Sequence, residues 1–156
     1  MTEPAAESPT AIAARQGWMR VLARAGLDEL AGALAACPAL PDHLVLRGPQ
    51  TGLVMLRGRA GGGGAAFNLG EMTVTRCTVR SAGGQIGHAS IAGRDGARAE
   101  LAARIDAALQ DPSLHEVFTA RLVAPLRAAQ EARTAADARR AAATQVQFFT
   151  MATMRS

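Results

Sequence analysis

The side chains able to do chemistry in this 156-residue chain are three histidines, two cysteines, thirteen carboxylates and seventeen arginines. Their spacing excludes more chemistry than it suggests. His43, His88 and His115 are scattered and lack metal-ligand spacing, which points away from a zinc centre. Cys37 and Cys77 have no metal-type spacing either, and read as small buried residues rather than as a disulfide or a nucleophile. Ser90 has no G-x-S-x-G elbow around it. His88 falls in a half-buried strand pattern, where a structural histidine and a general base are both open readings. Glu71 and Asp95 are single carboxylates at the ends of elements. Glu71 can start a strand, and Asp95 can cap a helix beginning near Gly96.

All seventeen basic residues are arginine, and the chain has no lysine and no tyrosine. Without lysine there is no Walker-type phosphate loop, no Schiff base and no lysine general base. The glycine run invites a different nucleotide reading, because Gly61, Gly63 and Ala66 formally match G-x-G-x-x-A. A dinucleotide fingerprint needs a helix N-terminus directly after the glycines, where backbone N–H groups meet the pyrophosphate. Here Phe67 to Val79 reads as strand, so the Rossmann reading fails. A flexible hairpin loop remains, or a loop that clamps phosphate or a partner, with Arg57 and Arg59 on one side and Arg76 beyond it.

The sequence pI is about 10.8, yet the formal net charge is only +4. The charges are scattered apart from Arg139-Arg140, and no aromatic platform lies among them, so nucleic acid is not the expected partner. MTEPAAESPT lacks the basic start and apolar run of a signal peptide. The apolar runs fall short of the ~20 residues that span a bilayer, so a cytoplasmic protein without membrane attachment is expected.

These residues must be positioned by elements of two periods. Residues 1–10 are rich in Pro, Glu and Ser and read as a disordered N-terminus. Ile12, Arg15, Met19 and Leu22 recur at helical spacing, with Trp18 beside Met19 and Gly26 as the stop. A short helix follows, with Asp28 as its cap and Leu30 and Leu34 on one face. His43–Arg47 and Leu53–Arg57 read as two strands around a Gly48–Gly52 turn. Glu71–Arg80 alternates, with Thr73, Thr75, Cys77 and Val79 on one face and Met72, Val74, Arg76, Thr78 and Arg80 on the other. Ala82-Gly83-Gly84 turns into a fourth strand, Gln85–Ala92.

Leu101, Ile105 and Leu109 then mark a helix, and Asp111-Pro112 starts another, which Pro125 should kink or split. Glu131–Ala143 has a thin apolar face and reads as projecting. Val146–Met151 is β-like and holds Phe148 and Phe149, two of the four phenylalanines. The expected fold is α+β: an antiparallel meander of about four strands flanked by N- and C-terminal helices. One domain, 11–142, is followed by an extended C-terminal arm, 143–156. That arm either folds back on the sheet or docks on a neighbouring subunit.

Several runs resemble the PhnG family in order along residues 15 to 151. They are Arg15-x-x-Trp18-Met19-x-Val21-Leu22-Ala23; Arg47 followed by Thr51-Gly52-Leu53-Val54; and the central block from Arg57-Gly58-Arg59 through Phe67-Asn68-Leu69-Gly70-Glu71 to Arg76. Gly93-Arg94-Asp95, Ile105-Asp106-Ala107, Ala124-Pro125-Leu126 and Val146-x-Phe148-Phe149-Thr150-Met151 complete the set. Gly64-Ala65-Ala66 departs from the pattern, where a threonine and a proline are common.

The resemblance implies a supporting subunit of the carbon–phosphorus lyase core, in organic phosphonate catabolism. It would act with PhnI, PhnH and PhnL as adenine of ATP is displaced by methylphosphonate to give α-D-ribose 1-methylphosphonate 5-triphosphate. PhnI would carry the displacement. PhnJ would carry the radical step, with its iron–sulfur cluster and S-adenosylmethionine. Two copies of this chain within a symmetric hetero-oligomer are implied. The family carries no assigned catalytic residues to transfer, and no cofactor is expected on this chain, ATP being a substrate of the complex. Arg57, Arg59, Asn68, Glu71, Arg76, His88, Phe148 and Phe149 are the candidate ligand or partner contacts. The alternative is a stand-alone module that binds an anion or nucleotide through the Gly-rich loop and arginines, which would bind ATP by itself.

Overall fold

A computed structural model describes residues 8–59 and 64–144. The chain opens with helix α1, Pro9–Arg24, where Ser8 accepts a hydrogen bond from the Ala11 N–H and Pro9 occupies the first turn. Serine at the cap and proline just inside it satisfy the unpaired first-turn donors. Helix α2, Leu27–Leu34, is capped by Gly26 rather than by Asp28: the Glu29 carboxylate reaches back to the Gly26 N–H at 2.8 Å. Asp28 instead sits in the first turn, where its charge favours the helix dipole.

The sheet has three antiparallel strands in the order β1-β2-β3: β1 His43–Gly58, β2 Phe67–Ser81 and β3 Ile86–Ala92. The expected first hairpin does not exist. Gly48–Gly52 is no turn but part of a single strand that pairs with β2 from His43↔Ser81 to Gly58↔Phe67. Its register shifts between Val45 and Arg47 and between Arg47 and Gln50. Proline cannot donate to a ladder, but β1 is an edge strand, and a bulge absorbs a residue the ladder cannot use. Pro49 is thus accommodated without reversing the chain.

Alternation along β2 and β3 buries Thr75, Cys77, Val79, Ala89 and Ile91, and leaves Arg76, Arg80, His88 and Ser90 exposed. The inward face follows the sequence expectation. Helix α3, Gly96–Leu109, lies against β2 and β3. Asp95 caps it by accepting from the Arg98 N–H at 2.9 Å. Its packing face is mostly alanine: Ala99, Ala102, Ala103, Ala107 and Ala108 are buried together with Ile105 and Leu109. Small residues let helix and sheet approach closely, and Gly87 on β3 lies beneath them. A Cβ on Gly87 would fall 2.7 Å from the Ala107 nitrogen and 2.9 Å from its Cβ.

Asp111 accepts from the Ser113 N–H and starts α4, Pro112–Phe118, while α5 spans Ala124–Ala143. Between them Thr119–Val123 forms a π-helical turn, with the Ala124 N–H bonded to the Thr119 carbonyl. The break expected at Pro125 takes this form. In α geometry the ring would strike the carbonyl four residues back, and the wider turn removes that clash. Phe118, Leu122, Val123 and Leu126 join Val21, Leu22 and Leu30 in one core with α3 and the sheet. From Glu131 onward α5 is almost wholly exposed, projecting as its thin apolar face implies. The arm beyond residue 144, with Phe148 and Phe149, lies outside the described residues.

Candidate functional site

The free edge of β3 is closed by side chains rather than by another strand. The His88 N–H donates to Asp106 Oδ2 at 2.9 Å, and the Ile86 carbonyl accepts from Arg15 Nη2 at 3.0 Å and Gln110 Nε2 at 2.8 Å. An unpaired edge is a template for further strand pairing, and these contacts remove it. Asp106 is fully buried, yet it accepts from Arg15 Nη2 and Trp18 Nε1, each at 2.8 Å, as well as from His88 and Gln110. Its network explains two of the sequence runs at once: Arg15-x-x-Trp18 and Ile105-Asp106-Ala107 meet at this carboxylate. It is a structural centre, with every lone pair occupied.

The opposite face of the sheet is open, and there the register sets polar residues in rows across three strands. Gln50, Arg76 and Ser90 form one row, since Gln50 pairs with Arg76 and Arg76 with Ser90. Arg47, Thr78 and His88 form the next. These six line a concave cavity of about 750 Å³, with Val74 at its apolar floor and Met19 of α1 at its rim. Val74 is 5 % exposed and lies outside the main core cluster. Thr78 Oγ1 and His88 Nδ1 are 3.1 Å apart, and Arg47 Nε donates to Gln50 Oε1 at 3.3 Å. Among the described residues no acidic side chain lines the cavity.

The sequence candidates therefore separate into two groups. Arg76 and His88 share the cavity. Arg57 and Asn68 pair with each other near the far end of the β1–β2 ribbon, with Arg59 just beyond β1 and Glu71 opposite Met55. Asn68 and Arg76 are eight positions apart on β2, roughly 26 Å along the strand. Arg47 and Gln50 were missed as cavity residues because the bulges of β1 set their phase, and no periodicity within β1 shows it. Both cysteines are free, and burial pushes each thiol up from its ordinary pKa, away from thiolate chemistry. Among the described residues no group of three His, Cys, Asp or Glu is placed to hold a metal ion. Nor is any helix there long and apolar enough to cross a membrane.

The far end of the ribbon has another character. Beyond the reach of β3, Leu53 and Met55 pair with Thr73 and Glu71 and continue the side of the sheet that elsewhere meets the helices. Here, among the described residues, no helix covers them. Leu53 and Leu69 are each 60 % exposed, Met55 51 % and Phe67 46 %.

The family model for the phosphonate metabolism protein PhnG matches residues 13–154. The chain belongs to the PhnG family. A PhnG relative from Rhizobium meliloti (strain 1021), alpha-D-ribose 1-methylphosphonate 5-triphosphate synthase subunit PhnG, is 47% identical over 147 residues. The match takes in 90% of this chain and 89% of the relative. The Arg15–Trp18–Asp106 network, the bulged β1 and the open sheet face all lie within the segment matched as PhnG.

Proposed function

We propose that this chain is a supporting subunit of the synthase that makes α-D-ribose 1-methylphosphonate 5-triphosphate from ATP and methylphosphonate in phosphonate catabolism. It acts beside PhnI, PhnH and PhnJ, with PhnL, and does not carry the displacement chemistry itself. The observation that supports a subunit role most directly is the uncovered ribbon. Leu53 and Met55 extend the helix-facing side of the sheet past its own helices, and Phe67 and Leu69 add exposed apolar side chains near the end of the same ribbon, an arrangement suited to a surface buried by another subunit. A two-stranded ribbon alone in water is marginal, and a partner that packs on it supplies the missing layer.

The test has two arms. The purified chain with ATP and methylphosphonate releases no free adenine, while the reconstituted subunits release it only when this chain is included. Leu53→Glu and Leu69→Glu, both at exposed positions, abolish co-purification with the partner subunits and leave thermal unfolding of the isolated chain unchanged. Adenine formed by the chain alone, or complex yield unaffected by both substitutions, refutes the proposal.

A further inference from the structure

We infer that the open sheet face is a polyphosphate-binding surface, and that within the synthase it holds the triphosphate group of the nucleotide or of the product. The choice of a triphosphate rests on the subunit reading; the choice of an extended, multiply charged oxyanion rests on the face itself. Arg47 and Arg76 stand on adjacent strands in adjacent rows, a diagonal relationship with roughly 7–8 Å between backbones. Both guanidinium forks project from one concave floor, with the Thr78 and Ser90 hydroxyls and His88 beside them. Phosphate oxygens match a guanidinium fork in two-point geometry, and hydroxyls complete the donor set.

The distribution of charge supports the assignment. The chain has thirteen carboxylates, and none of those among the described residues lines this cavity. Among the described residues the Arg76 guanidinium has no hydrogen-bond or ion-pair partner, whereas Arg15 and Arg133 are paired with Asp106 and Glu29. A basic side chain on a rigid central strand, left without a carboxylate in a concave site, is preorganised for an anion from outside. Among the described residues no Phe or Trp lines the cavity, so it lacks the platform on which successive bases of single-stranded nucleic acid stack.

The experiment is titration calorimetry of the full chain with inorganic triphosphate and, separately, with ATP, repeated on the assembled complex. Arg47→Ala and Arg76→Ala each weaken triphosphate binding about tenfold, as loss of a charge-assisted contact should. The double substitution Arg139→Ala/Arg140→Ala on the exposed end of α5 leaves it unchanged. Inorganic triphosphate and ATP compete. Co-purification with the partner subunits is read on the same variants, which separates the two proposals. If the wild-type chain never assembles, the subunit reading fails while triphosphate binding still decides this one. No triphosphate binding by chain or complex, or equal binding by wild type and both arginine variants, overturns the inference. So does intact triphosphate binding with loss of assembly in Arg76→Ala, because the face would then dock an acidic protein surface.

Discussion

Arg15 on α1 and Asp106 on α3 are ninety-one residues apart in sequence, and their side chains meet at 2.8 Å with Asp106 fully buried. The carboxylate also holds the Trp18 indole and the backbone N–H of His88, so one residue ties α1, α3 and the edge of β3 together. Removing it strands several donors in the core. Asp106→Ala is expected to cost about 3–5 kcal/mol, the usual penalty for breaking a buried pair at one end. Trp18→Phe, which loses a single hydrogen bond, should cost about 1–3 kcal/mol. Urea unfolding of both variants checks the order; equal costs would show that Asp106 is not the centre of the network.

Gly87 is required by contact rather than by its backbone angles. With Ala107 atoms less than 3 Å from where a Cβ would stand, Gly87→Ala must push α3 off the sheet. Overpacking of this kind costs about 3 kcal/mol. Gly52, with nothing within 4 Å of such a Cβ, should tolerate alanine with little change. Chemical denaturation of the two variants, side by side, is the measurement.

Glu29 predicts an acid-sensitive contribution. The Gly26 N–H first, and Arg133 second, hold its carboxyl below the ordinary value near 4.5. A lowered folded-state pKa means the contribution is full above that ordinary value and is lost as pH falls through the folded one. Because the side chain is partly exposed, solvent screening limits it to about 0.5 kcal/mol. Glu29→Gln should lower stability by that amount at pH 7 and lessen the decline of stability below pH ~4.5. Melting curves of both proteins from neutral to acid pH would show it; parallel curves would refute it.

Legibility in the sequence followed the range of the interaction. The caps at Asp95 and Asp111, the break near Pro125 and the inward face of β2 depend on neighbours a few residues away, and the period and turn chemistry displayed them. The cap of α2 was misread by two positions because Asp28 and Gly26 are both good candidates, and the choice lay in where Glu29 turned its carboxylate. The β2–β3 pairing and the family runs were likewise visible as patterns, before any of them had a partner.

Composition and local pattern sufficed for the α+β class, the helix caps at Asp95 and Asp111, the buried side of β2, and the exclusion of lysine- or tyrosine-dependent chemistry. That His43–Gly58 is one bulged strand emerged only from its pairing with β2. A Gly-Pro pair reads alike in a turn and in a bulge until a partner strand sets the register. The same pairing brought Arg47 and Gln50 into phase with Arg76 and His88, and carried Arg57 and Asn68 far from them. It also brought Arg15 to Asp106. Local periodicity records which face a residue takes, whereas its neighbours on that face are set by chain segments tens of residues away, and no local pattern encodes them.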